Sequence, residues 1–207
     1  MKNTNTKLVI YIILLFIILC SSLIIYIFEI DAKKYNKDLY AEIYSEFEEL
    51  EKLEESNNTK TISSSNNPII YKTNARGSTY RVIATINIPK IQVNYPIINE
   101  TTDEYLKISP TKLYGPNPNE KGNFCVVGHN YENDTFFSNL DLLNNGDIVK
   151  IKDTSGKTES YSIYNSYIVS KTDVSCLEQN TDGKTELTLI TCTNKNDKML
   201  IIKCEKI

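Results

Sequence analysis

From Leu8 to Phe28 the chain runs for twenty-one residues without a single charged side chain. As a helix, that length covers about 30 Å, the hydrocarbon thickness of a bilayer. This stretch constrains the chain more than any other, because it is expected to span a membrane and leave the rest to fold on one side. Lys2 and Lys7 precede it, whereas Glu29 and Asp31 follow. The basic flank stays in the cytoplasm, so residues 1–7 are read as cytoplasmic, 8–28 as the transmembrane helix and everything after as extracellular. A cleaved signal peptide is the competing reading. The apolar run exceeds an ordinary signal core and no Ala-x-Ala-like site follows, which favours an uncleaved anchor.

Residues 29–55 are rich in charge and helix formers, and Leu39, Ile43, Phe47, Leu50 and Leu53 recur at spacings of four, four, three and three. That period predicts an amphipathic helical stalk. Residues 56–79 open with a Ser, Asn and Thr tract too polar to order itself, and read as a flexible linker. The folded domain is expected over residues 80–207.

With 207 residues, 41% of them hydrophobic, and a net charge of −3, the chain can build one ordinary domain and shows no basic surface for nucleic acid. Past Tyr80, short apolar or alternating runs are broken by turn residues. Strands are predicted over 81–88, 93–97, 123–127, 148–153, 158–169, 187–191 and 200–203, with short helices over 102–106 and 136–143. So many short strands in one domain predict an all-β barrel or sandwich.

Two of these runs end in reactive groups. Asn123 to Val127 leads through Gly128 into His129, the chain's one histidine, and Leu187 to Thr191 leads into Cys192. Imidazole can hold a thiolate by charge and later protonate a departing amine, so the pair contains the minimum parts for thiol catalysis. With water as second substrate the outcome is hydrolysis; with an amine it is transfer. Asp173 lies between the two strands in sequence and could orient His129, while Asn130 could touch substrate; loop chemistry is the plainer reading of both. Of the other four cysteines, Cys20 falls in the membrane segment, Cys125 and Cys204 read as core, and Cys176 as a partly exposed thiol.

Thr188-Leu189-Ile190-Thr191-Cys192 resembles the T-L-x-T-C signature of sortases. Gly128-His129-Asn130 after a Val-Val strand, and Ile86 to Ile97 as a first hairpin, resemble the same family. The resemblance covers about Tyr80 to Ile207 and implies a closed β-barrel of about eight strands with short helices. It further implies a cysteine transpeptidase that cuts an L-P-x-T-G-like sorting motif of secreted proteins and joins them, through a thioester on Cys192, to an amine of the cell wall. Thr191 would then support the substrate and the oxyanion. No cofactor is expected, and although Asp103, Glu104, Asp182 and Glu186 invite thoughts of calcium, no metal-loop pattern joins them. The lid motif of pilus-building sortases does not occur ahead of Tyr80.

One departure stands out. Sortases of this type usually carry an arginine where this chain has Met199. A thioether donates no hydrogen bond, and loss of one oxyanion donor costs about 10² to 10³ in rate. Lys198 could compensate from a strand end or a bulge, a donor could come from elsewhere, or the domain could bind sorting signals or envelope partners with little turnover.

Overall fold

The computed structural model describes residues 10–27, 30–31, 34, 70–73, 79–131, 134–193 and 198–207. Most of the expected stalk, and the expected linker up to residue 69, lie outside the described residues. Helix α1, Ile10–Ile27, is long and apolar enough to cross a membrane, the one such helix among the described residues. Its large apolar side chains are exposed along its whole length, as a lipid-facing helix requires.

The second unit is a β-barrel. Its strands are β1 (Ile70–Thr73), β2 (Thr79–Ile88), β3 (Val93–Ile98), β4 (Thr111–Tyr114), β5 (Gly122–Val127), β6 (Ile148–Asp153), β7 (Thr158–Ser170), β8 (Thr185–Cys192) and β9 (Lys198–Lys206). They pair in the order β1-β2-β3-β4-β5-β8-β9-β7-β6, and β6 returns to β2, so the eight strands β2 to β9 close on themselves. The closure is tightest away from β3, which meets β4 at the single pair Ile98 and Thr111. β1 adds to β2 beyond the stretch that β6 occupies, pairing Ile70 with Val82 and Thr73 with Thr79. It falls inside the stretch read as linker, so ordered pairing begins ahead of Tyr80.

Alternation explains which residues fill the barrel. Along β8, Leu187 and Leu189 point inward and join Ile86, Phe124, Phe137, Val149, Ile151 and Ile202 in the main core. Each such side chain, fully withdrawn from water, is worth about 1.5–3 kcal/mol. The alternate residue Ile190 points outward, and so do Cys125 of β5 and Ile201 of β9. This outer layer is covered by Cys176 and Leu177 from a single 3-10 turn, Ser175–Leu177.

The seven predicted strands all form, most of them a residue or more longer than expected; β1 and β4 were not predicted. Of the helices, α2 (Asp103–Leu106) forms, with Thr102 accepting a hydrogen bond from Tyr105 N at 3.1 Å as its cap. The helix expected over 136–143 does not. Phe136 and Asp134 have φ of +50° and +63°, and Phe136 N donates to the Tyr95 hydroxyl. Phe137 N donates to His129 O at 3.0 Å, and the bonds that follow link residues three apart, leaving only the 3-10 turn Leu140–Leu142. The apolar side chains of this segment serve as a plug for the barrel end, with Phe137 and Leu140 wholly buried.

Candidate active site

The histidine and cysteine strands are adjacent and parallel. β5 and β8 run in register from Gly122 against Thr185 to Val127 against Ile190. Gly128 N continues the ladder with a 3.1 Å bond to Ile190 O. Extending that register sets His129 level with Cys192, on backbones about 4.8 Å apart. Neighbouring strands whose pairing is fixed by a buried face cannot slip by one residue without turning that face outward, so the two residues are held at one height by the core itself.

On the other side of β8, Met199 of β9 pairs directly with Cys192, Ile201 with Ile190 and Lys203 with Thr188. Cys192 and Met199 therefore face each other across the β8–β9 ladder, and only the extended β5–β8 register adds His129 to their row. Below that row lies an apolar floor made by Val127, Ile190, Ile201 and the covering Cys176 and Leu177. The floor ends in polar anchors: Lys203 Nζ donates to Thr188 Oγ1 at 2.9 Å and lies 3.4 Å from Glu186, while Thr188 Oγ1 donates to Asn123 Oδ1 at 2.6 Å. Asn123 Nδ2 in turn donates to the Cys176 and Glu178 carbonyls and ties the covering turn to the wall.

Cys192 is exposed, whereas Cys125, Cys176 and Cys204 are buried, and all are free thiols. Burial pushes the Cys125 thiol up to about 12, and burial raises Cys204 and Cys176 as well. Since the thiolate is the nucleophile, these three are inert by environment. Cys176 is thus a covering residue and not the partly exposed thiol expected from sequence.

The imidazole of His129 is half-buried and packs against Tyr131 with ring centroids 4.8 Å apart and planes tilted by 38°. Burial draws its pKa below the ordinary value; Lys107 pushes the same way and Asp103 opposes both. Among the described residues, Asp103 of α2 is the carboxylate that raises the imidazole pKa. Asp173, for which loop chemistry is the plainer reading and orienting His129 the alternative, is fully exposed and spends its carboxylate on its own turn, accepting from Ser175 N at 2.9 Å. Only the fold brings the α2 charges to the histidine, and nothing in the spacing of residues 103, 107 and 129 signals it.

Two contacts brace the site. Thr191 is 1% exposed and its hydroxyl donates to Gly128 O at 2.9 Å, so it stitches β8 to the strand end that carries the histidine. Asn130 Nδ2 donates to Cys192 O at 3.0 Å from the opposite direction. Together they cross-link the two reactive strand ends above the regular ladder. Gly128 fits here because a Cβ would come within 2.8 Å of the Phe137 ring.

On the inner side of Cys192, the barrel end opens into a cleft of about 440 Å³. Thr191, Cys192, Lys198 and Asn130 line it, with Phe137, Ser138, Asp141, Ile168, Thr193 and Leu200. Lys198 opens β9, and its carbonyl accepts from Thr193 N at 3.1 Å. Alternation sends it to the side of the strand away from Met199, and it faces the cleft rather than the row.

Comparison with known proteins agrees with this geometry. Residues 86–207 match the family model of the Sortase domain. The chain is similar to Sortase A of Bacillus anthracis, 28% identical over 118 residues that make up 56% of this chain and 55% of that protein. It thus spans about half the length of that curated relative. Among solved structures it is similar to a Clostridium perfringens Sortase D5 transpeptidase, with 34% identity, a TM-score of 0.56, and coverage of 61% of this chain and 79% of that one. It is also similar to Sortase A of Corynebacterium diphtheriae, with 28% identity, a TM-score of 0.57, and coverage of 64% and 63%. A domain match over more than half of the residues, on a closed barrel carrying a cysteine and a histidine at parallel strand ends, means that the chain belongs to the sortase family.

Proposed function

We propose that the protein is a membrane-anchored cysteine transpeptidase that cleaves an L-P-x-T-G-like sorting motif in secreted proteins and transfers the acyl fragment to a cell-wall amine. The observation that carries this reading is exposed Cys192 at the end of β8 with His129 two residues past the end of the adjacent parallel β5, the two strand ends tied by Asn130 Nδ2 donating to Cys192 O at 3.0 Å, beside an apolar floor. The Cys192 sulfur attacks the scissile carbonyl, His129 protonates the departing amine, and a thioester results. An incoming amine then displaces the sulfur. Lys2 and Lys7 before α1 support an outward-facing domain, where secreted proteins and nascent wall are met.

Thr191 and Asn130 act as positioning residues, because both hydrogen bonds fix backbone at the reactive positions. Met199 favours a second reading, a domain that holds sorting signals with little turnover: it stands opposite Cys192 with its side chain against the apolar floor and offers no donor to an oxyanion. Incubating the protein with fluorogenic sorting-motif peptides and an amine acceptor separates the two. Cleavage that disappears in Cys192→Ala supports the transpeptidase; saturable binding without cleavage supports the binding domain; cleavage indifferent to added amine supports a hydrolase.

A further inference from the structure

The segment that follows β5 turns back on itself. Phe137 N donates to His129 O, and the next pair outward, Asn130 with Phe136, closes an antiparallel bridge. Tyr131 stands two residues past His129 on this bridged stretch, so alternation puts the two side chains on one side of it. There the rings meet. The centroids of His129 and Tyr131 lie 4.8 Å apart, those of Tyr131 and Phe136 5.7 Å, and those of Phe136 and Tyr95 of β3 5.1 Å, each pair tilted. The rings thus run as a chain from the imidazole to a strand of the barrel.

We infer that Tyr131 is the positioning residue of His129: clasped through Phe136 to Tyr95, its ring fixes the orientation of the imidazole and keeps water from one of its faces. Three observations carry it. Tyr131 is 43% exposed, so burial in a core does not account for its place against the histidine. Phe136 adopts a φ of +50°, which a bulky residue takes only where its surroundings impose it; here its N–H donates to the Tyr95 hydroxyl at 3.2 Å and its ring packs on both tyrosines. Finally, Tyr131 N donates to Ser138 Oγ at 3.0 Å, and Ser138 Oγ donates to Thr135 O at 2.6 Å, which ties the two arms of the turn together behind the rings.

The charges that act on the imidazole, Lys107 and Asp103, both belong to α2. Cys192 ends the neighbouring strand, and Asp134, in the same turn as Tyr131, accepts from Asn139 Nδ2 at 2.9 Å. Burial outweighs the charges in drawing the imidazole pKa down, and Tyr131 is the ring that lies against it. The role rests on the transpeptidase reading above, in which His129 gives a proton to the departing amine. An imidazolium of lowered pKa gives up its proton more readily, and a ring held in one orientation aims that proton at one place.

The full chain in detergent, with its one histidine carbon-13 labelled, is titrated by NMR. Tyr131→Ala should raise the His129 pKa towards the ordinary value, and Tyr131→Phe, which keeps the ring, should leave it unmoved. Phe136→Gly should shift it in the same direction as Tyr131→Ala, although Phe136 stands one ring further along the chain. Glycine adopts a φ of +50° without strain, so this variant removes the ring without stressing the backbone. Single-turnover acylation by a sorting-motif peptide should fall about tenfold in Tyr131→Ala and Phe136→Gly and hold in Tyr131→Phe, a part of the 10² to 10⁴ that a positioned general acid supplies. A His129 pKa unchanged or lowered in Tyr131→Ala, a Tyr131→Phe chain that behaves as Tyr131→Ala does, or an imidazole indifferent to Phe136→Gly would overturn the inference. The titration needs no peptide, so it decides what Tyr131 does to the imidazole even if no thioester forms, a result that would contradict the transpeptidase reading alone.

Discussion

Met199 stands directly across the β8–β9 ladder from Cys192. In the family pattern that position holds an arginine. Its replacement by a thioether removes a fixed cation and several N–H donors from the place where negative charge develops.

Met199→Arg should accelerate thioester formation by about tenfold or more, within the range known for oxyanion donors. Single-turnover rates with a sorting-motif peptide check it. Equal or slower acylation would mean that the row does not contact the reacting carbonyl.

Asn130→Ala should lower the acylation rate while reducing stability by only about 1 kcal/mol, the usual worth of one hydrogen bond. The bond at stake runs from Asn130 Nδ2 to Cys192 O. Acylation kinetics beside a denaturant melt separate the two effects; a rate equal to that of the unsubstituted chain would leave Asn130 without a positioning role.

The single histidine makes its titration unambiguous. Burial and Lys107 hold the His129 pKa below the ordinary value against the pull of Asp103. Lys107→Gln should raise it and Asp103→Asn should lower it further, read from the imidazole resonances by NMR. Because the folded pKa is depressed, the contribution of this group to stability is complete above the unfolded value of about 6.5 and is lost as pH falls through the folded one. Shifts of the opposite sign would place other charges beside the ring.

Gly128→Ala should destabilise the chain by about 1–3 kcal/mol, the penalty of overpacking, since the new methyl would meet the Phe137 ring 2.8 Å away. Thermal melts measure it. An unchanged melting temperature would show that Phe137 moves aside freely.

Much of this was legible in residue order. The strands 81–88, 123–127 and 187–191 are visible because apolar residues crowd between turn signals, and the reactive groups stand at their ends. What could not be read is adjacency. Nothing local tells that β5 and β8, sixty-odd residues apart, lie side by side and parallel, or that α2 delivers Asp103 and Lys107 to the imidazole. β4 escaped notice because its four residues, Thr111–Tyr114, show only one buried position. The segment 136–143 carries a helical spacing of apolar residues, yet tertiary bonds from Phe136 and Phe137 to Tyr95 and His129 override it.

The central claim is that Cys192 accepts an acyl group, and a mass measurement tests it most directly. After brief mixing of the protein with sorting-motif peptides and no amine, the tryptic peptide containing Cys192 should carry the acyl fragment. The adduct should be released by hydroxylamine, and it should be absent in Cys192→Ala and strongly reduced in His129→Ala. Peptide cleavage that persists in Cys192→Ala, or a Cys192 that iodoacetamide alkylates readily while no peptide leaves an adduct, would contradict the account.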